Sequence, residues 1–518
     1  MIRRLYQSLL VLSATLFAAT TAMSGYTLLP NGSLLNQAGT SVKTWSNVNS
    51  YSAYLTDSGT ILYGSSSGGG GGGGAPGGTT ASGPGSPYST INEASWSGTA
   101  LRSWTWAPST AVSTTTSKST STIGTFHHAF NTMTNGHWLA VGYEYLTSAQ
   151  LSSGYGVTYS GTVWNEHIIE YDPTTAAVVW EWNAANHMTT TNNARLINVG
   201  KFSANDGDVM HFNSVSYDPI HNLIMVSSHK MNEVLVIEHT TTTAIAATHA
   251  GGTYGKGGDI LFRYGKAANY GGTSAAVFNV VHGGKFVPAN YTGAGNLLCF
   301  SNNDVKNTYS TAYEIAPSAI TDSGFTIGSN GEFVSSVIFS WDTSAYNSHD
   351  NFGSVQRLPN GNTFIDFTKS NRLIELNDKD SIVLNYSVSS QPNTAMRYAI
   401  DFAGLANLTG ISSSTTKSSS SSSTITNSSS SGTSAIKTTS GAVAMGLQTT
   451  FRNSQLNIEG MSGSTNIRVA DLHGRVILEQ FTNLQSISIP TANWKTGTYM
   501  LQISQNGKVW TRGLGITR

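Results

Sequence analysis

Charge is scarce in this chain. Of its 518 residues only 10% are Asp, Glu, Lys or Arg, and 27 acidic side chains balance 27 basic ones. A nucleic-acid binder carries a basic excess, so that class is excluded. Cysteine is almost missing too. Cys299 is alone, so no intrachain disulfide can form. It lies in the apolar run "NLLCF" and reads as a buried strand residue rather than a reactive thiol. Beyond the N-terminus no stretch approaches about 18 apolar residues, so no transmembrane segment is expected in the mature chain. No amphipathic periodicity is sustained over about ten residues, which argues against a helical architecture.

What is abundant is glycine (54 residues), Ser, Thr and Asn, with aromatics at 10%. That is the profile of an extracellular β-rich protein. The first residues, "MIRRLYQSLLVLSATLFAATTAMSG", combine Arg3 and Arg4 with a short apolar stretch, Leu9 to Ala19, and small residues Thr20, Ala22 and Ser24. This is a secretory signal peptide, residues 1–24, with cleavage expected near Ala22. Two low-complexity segments follow. Gly68 to Gly74 is an unbroken glycine run, read as a flexible loop insertion over residues 65–78. The Ser/Thr-rich stretch at 409–440 reads as a linker between a large body, 25–408, and a small tail, 441–518.

The body repeats a hairpin pattern: "LLPNGSLL", "MTNGHWLAV", "GAGNLLCF", "RLPNGNTFI". Asn-Gly supplies the positive φ values of two-residue hairpins. "IIEYDPTTAAVVWEW" and "VLVIEHTTTTAIAA" also place polar turns between apolar strands. Many short strands in recurring units predict an all-β fold: a six-bladed β-propeller, with a pair of β-sandwiches as the alternative. The tail alternates apolar and polar residues in "TNIRVADLHGRVILEQ", "QSISIP" and "GTYMLQISQNGKVWTRGL", with turns at His473-Gly474 and Asn506-Gly507. It predicts a small antiparallel β-sandwich.

Histidine carries the chemistry. The chain has 13, and 12 fall in the body. His137, His167, His187, His221, His239 and His249 lie beside turns or on alternating faces and read as structural. Others sit at or in apolar strands: "FHHAF" (His127, His128), "MHFNSVSY" (His211, Asn213), "SSHK" (His229), "VVHGG" (His282), and His349 ahead of the last clear hairpin. In a strand, His211 and Asn213 would share a face. Residues far apart in sequence meet at the mouth of a propeller channel, so these groups make a candidate polar cluster in a concave site. Zinc is a weaker reading, because there is no HExxH motif and no tight His-x-His pair. No cofactor is expected.

Two resemblances build on these segments. "FHHAFNTMTNGHWLAVG", "DVMHFNSVSYDPIHNLIMVSS", "NEVLVIEHTTTTAIAATHAGGTYGKGGDILFRYG", "VVHGGKFVPANYTGAGNLLCFSNND" and "GSVQRLPNGNTFI" resemble the bacterial arylsulfotransferases, aryl-sulfate sulfotransferases that need no nucleotide donor. The resemblance implies a six-bladed propeller with the site in its channel, an aryl sulfate donor and a phenolic acceptor. It implies a ping-pong reaction in which His282 carries the sulfuryl group as a sulfohistidine. It also implies roles for His128, His211 and Asn213, and for position 229, eighteen residues after His211, where arginine is often found. Two positions depart from that pattern. Gly283 stands where an acidic residue would orient the nucleophile, and His229 lacks the fork and the high pKa of arginine. Lys230 is no substitute, since consecutive strand residues face opposite ways. A non-catalytic propeller binding sulfated or aromatic ligands is therefore the alternative. In the tail, "VADLHGRVI", "GTYMLQI" and the final Arg518 resemble a type IX secretion sorting domain. This implies handling by that machinery, export through the periplasm of a Gram-negative bacterium, and a secreted or cell-surface location.

Overall fold

The computed structural model describes residues 21–65, 85, 87–106, 124–203, 207–240, 242–289, 291–305, 309–342, 344 and 352–408. In the tail it describes 448–452, 455–461, 465–471, 476–482, 485–491, 494, 497–505 and 508–516. Most of the expected signal peptide, nearly all of the glycine-rich loop, the Ser/Thr-rich linker, both tail turns and His349 lie outside the described residues. The chain divides into two compact units, Met1–Thr409 and Gly410–Arg518.

The first unit is all-β with few helices. Among the described residues its longest helix is Ser148–Tyr155, eight residues closed by a capping box on Thr147 and Gln150 and by Gly156 at φ 72°. Among the described residues six antiparallel sheets of four or five strands follow one another along the chain. The second sheet spans Ala53–Leu55 to Ala100–Trp104. The third contains Gly124–Thr132, Trp138–Leu146, Val163–Asp172 and Ala177–Asn183, with Pro87–Tyr88 added beside Gly124–Thr132. The fourth contains Phe212–Asp218, Leu223–Ser228, Glu233–Glu238 and Ile260–Tyr264. The fifth runs from Phe278–Phe286 and Leu297–Asp304 to Ser335–Asp342, and the sixth from Ser354–Arg357 to Ile382–Ser387. The first sheet joins the two ends of the body. Met396–Ala399 pairs antiparallel with Gly25–Leu28, Ala399 opposite Gly25.

Apolar clusters link successive sheets. Tyr54, Leu62 and Ile91 of the second meet Phe126 and Phe130 of the third. Trp180 and Trp182 of the third meet Phe212, Ile224 and Leu235 of the fourth. Val236 and Phe262 meet Phe278 and Cys299, and Leu298 and Phe300 meet Val355 and Ile365. Phe364 and Leu373 of the sixth then meet Leu35 of the first. Cys299 is fully buried, as its apolar run predicts.

Three local expectations are corrected. The Asn-Gly turns are three-residue hairpins. Leu29 and Ser33, Met133 and His137, and Leu358 and Asn362 close them, and the glycine alone has positive φ, 80° to 89°. That is a type I turn with a left-handed glycine, which fits strand twist as well as the two-residue form does. After Glu233–Glu238 the chain does not return as a strand. Thr242 caps the short helix Thr243–Ala246, because its side-chain oxygen takes the Ile245 N–H. And His211 precedes its strand with φ 52°, so the same-face pairing with Asn213 does not hold.

The second unit contains two antiparallel sheets. One is Gln448–Arg452, Gln455–Glu459 and Ser486–Pro490. The other is Val476–Thr482, Thr465–Asp471, Gly497–Gln505 and Lys508–Ile516. Leu456 and Ile489 of the first join Ile467, Val469, Leu501 and Leu514 of the second in one core.

Candidate active site

The first strands of the third, fourth and fifth sheets, Gly124–Thr132, Phe212–Asp218 and Phe278–Phe286, lie side by side. Each has a register shift: near His128, at Phe212–Ser214, and at His282–Lys285. Bulges of this kind turn side chains out of the regular alternation. Around them opens a cavity of about 330 Å³, lined by His128, His211, His229, His282, Asn302 and Phe352 together with Gly85, Val280 and Asn303. Four of its non-glycine residues have positive φ: His128 (50°), His211 (52°), Val280 (69°) and Phe352 (58°). Such conformations cost about 1–3 kcal/mol each and gather at functional sites.

The imidazoles form a close group. Ring centroids are 4.9 Å apart for His128–His211, 4.8 Å for His211–His229, 5.5 Å for His229–His282 and 6.1 Å for His128–His282. Phe352 packs on both His128 and His282, at 5.7 and 5.5 Å. His229 sits in the turn after Leu223–Ser228, and its N–H donates to the carbonyl of His211 at 3.0 Å.

Hydrogen bonds set the tautomers. The Asn302 amide Nδ2 donates to the Phe352 carbonyl at 2.6 Å, so Oδ1 is the acceptor facing His282 Nδ1. His282 therefore carries its hydrogen on Nδ1 and a lone pair on Nε2. His211 Nδ1 donates to Asp208 Oδ2 at 2.6 Å, and its Nε2 shares a hydrogen with His128 Nε2 at 2.8 Å. Burial lowers the pKa of His282 to about 3 and of His229 to about 4, helped in each case by a neighbouring histidine. Burial also holds His128 well below the ordinary histidine value, and the other histidines add to it. The nucleophile candidate is thus neutral near pH 7, with its lone pair free.

Four of the five expected residues, His128, His211, His229 and His282, come together. Asn213 does not line the cavity. Its Nδ2 donates to the Val281 carbonyl at 2.8 Å and its Oδ1 accepts from Ser227 at 2.6 Å, so it ties the fourth sheet to the fifth. His127 faces the other way, fully buried against Glu166 at 2.7 Å. Lys230 is not a lining residue. Gly283 does not deprive His282 of an orienting group. It has φ 62°, and a Cβ there would lie 2.7 Å from the Gly353 carbonyl and 2.8 Å from Ser354 Cα. A side chain cannot fit, and Asn302, twenty residues after His282, supplies the orienting acceptor instead.

Sequence reasoning missed Asn302, Asp208 and Phe352. Asp208 had a signal, a carboxylate three residues before a site histidine. Asn302 and Phe352 had none, because only the fold brings them to His282.

Residues 78–389 match the model of the arylsulfotransferase (ASST) family, which is more than half of the chain. This chain belongs to the arylsulfotransferase family. Membership supports a sulfotransferase-like function. Residues 452–517 match the secretion system C-terminal sorting domain, the type IX signal, so the chain is exported to the cell surface or beyond. Among the described residues no helix is long and apolar enough to cross a membrane. No curated protein matches the chain. Similar solved structures include a protein of unknown function from Bacteroides caccae, at 11% identity and a TM-score of 0.38, covering 72% of this chain and 99% of that one. Virginiamycin B lyase from Staphylococcus aureus is 9% identical with a TM-score of 0.31, over 72% of this chain and 86% of that one. PorZ of the type IX secretion system of Porphyromonas gingivalis is 10% identical with a TM-score of 0.34, over 92% of this chain and 60% of that one.

Proposed function

We propose that the four-histidine cavity moves a sulfuryl group from an aryl sulfate to a phenol in two steps, through a sulfohistidine on His282. The observation that carries this reading is the pinned tautomer of His282. Its Nδ1–H is held by Asn302, and its Nε2 lone pair remains available beside three other imidazoles.

In the first half-reaction Nε2 attacks sulfur. The N–S bond forms, the S–O bond to the aryl group breaks, and the aryl oxide leaves with the electron pair. Like phosphoryl transfer, this passes through a loose transition state with charge on the peripheral and leaving oxygens. His128 turns its Nε2–H to the leaving oxygen as a hydrogen-bond donor and keeps the proton, while Asp208 steadies His211 from behind. In the second half-reaction a phenol gives its proton to the lone pair on His211 Nε2, from which it passes to solvent, the phenol oxygen attacks sulfur, and the N–S bond breaks, returning the electron pair to His282 Nε2. Among the described residues no carboxylate lines the cavity to repel the sulfuryl oxygens, and Phe352 and Val280 make part of its wall apolar. His229, in place of a fixed cation, supplies a neutral imidazole.

The architecture supports the same reading. We take the six sheets, with the last strand completing the first, as the blades of a propeller whose channel holds the cavity. The tail, read as a β-sandwich, serves export and is dispensable for transfer. The non-catalytic alternative rested partly on a missing orienter for His282, which Asn302 provides.

Incubation with para-nitrophenyl sulfate and phenol, without nucleotide, should release nitrophenol and form phenyl sulfate. His282→Ala should abolish both. Tight ligand binding with no turnover in the wild type would instead favour a binding propeller.

A further inference from the structure

A second histidine cluster lies in the body and shares no residue with the cavity. His187 closes the turn Ala184–His187 after the third sheet, while His249 and Asp259 belong to the loop that leads into Ile260–Tyr264 of the fourth. His187 Nδ1 is 2.8 Å from Asp259 Oδ1, and His249 Nδ1 is 2.7 Å from the same oxygen. All three potential ligand atoms lie within 4.8 Å of one another.

The bonding of His187 is the telling feature. Its Nε2 is 2.8 Å from the Ala246 carbonyl, which can only accept, so Nε2 carries a hydrogen. In a neutral ring Nδ1 then holds a lone pair aimed at a carboxylate oxygen, acceptor against acceptor. Something positive belongs between them: a second proton or a metal ion. A metal-binding imidazole characteristically gives its other N–H to a carbonyl or carboxylate, as His187 does.

The surroundings are built to hold this ring still. Trp182 stacks parallel to His187, centroids 5.2 Å apart and planes 3° apart, and its Nε1 donates to the Gly258 carbonyl at 2.7 Å. A Cβ on Gly258 would meet the Ala246 carbonyl at 2.0 Å and His187 Nε2 at 2.8 Å, so glycine there lets the loop close over the bond. His187 and Asp259 are buried, whereas the side chain of His249 is 60% exposed and leaves an entry path.

We propose that His187 Nδ1, His249 Nδ1 and Asp259 Oδ1 bind a first-row divalent cation, Zn²⁺ by the donor set, which clamps the third sheet to the fourth. Two imidazoles and a carboxylate suit zinc, and water completes the tetrahedron. Zn–N and Zn–O distances near 2.0 Å require the three atoms to spread from hydrogen-bonding separations, a small shift for the exposed His249.

The test is calorimetric titration of the full chain, stripped with a chelator, using Zn²⁺ alone. One ion per chain should bind and raise Tm. His249→Ala, a substitution at an exposed side chain, should weaken binding by at least about 10-fold and remove the Tm shift. Asp259→Asn should do the same, and His282→Ala should keep both. No binding, binding that survives His249→Ala, or binding lost in His282→Ala would overturn the assignment.

Discussion

At the scale of single residues, its partner sets His282 apart from the histidines outside the cavity. The six histidines read from sequence as structural each have a carboxylate oxygen within hydrogen-bonding reach: His137 and His239 share Glu170, His167 holds Glu181, His221 holds Asp218, and His187 and His249 share Asp259. His282 instead faces an amide, which fixes a proton without adding charge. Asn302→Ala should therefore lower kcat/KM by about 10–100-fold, the scale for removing a group that orients an imidazole. Steady-state assays with para-nitrophenyl sulfate check this, and an unchanged rate would separate Asn302 from catalysis. The site histidines were legible because each sits at an apolar strand. Asn302 and Phe352 were not, since their roles depend on backbone that only the folded chain brings to His282.

Among strands and turns, irregularity positions the site. A regular strand alternates its side chains, and "HFN" read that way put His211 and Asn213 on one face. The register shift at Phe212–Ser214 and the positive φ of His211 break the alternation, sending His211 to the cavity and Asn213 to Val281. Asn-Gly pairs marked turns correctly but not their type. Sequence composition carries no local sign of a bulge, which is why element positions were readable and side-chain directions were not. Gly283 belongs to such a bulge. Restoring an acidic side chain with Gly283→Asp should destabilise the chain by about 1–3 kcal/mol or more, since it combines positive φ with a clash against backbone. Denaturant unfolding measures it. Undiminished stability with faster transfer would show that the family's acidic position can be refilled.

Across the whole molecule, burial of neutral imidazoles links stability to pH. Burial holds the folded pKa of His282 near 3, below the ordinary value of about 6.5. As pH falls from about 6.5 toward 3, the unfolded chain takes up this proton and the folded chain does not, so stability is lost in that window and is complete above it. His167 has the opposite sign. Burial lowers its pKa, but Glu144 and Glu181 outweigh that and raise it to about 10, so its contribution is full below about 6.5 and lost as pH rises toward 10. His282→Gln isolates the first effect. Measured by Tm, the variant should gain on wild type between pH 6.5 and 4, and a constant difference would contradict the buried, neutral state of His282. The all-β class was legible in strand rhythm and turn residues. The joining of Met396–Ala399 to Gly25–Leu28 was not, because it pairs the two ends of the body. The sulfuryl carrier is the central claim, and intact-mass spectrometry tests it most directly. Mixed with para-nitrophenyl sulfate and no acceptor, the wild type should gain the mass of one SO₃ group on His282. Added phenol should discharge it, and His282→Ala should never acquire it. An adduct that persists in His282→Ala, or turnover with no adduct on any histidine, would contradict the account.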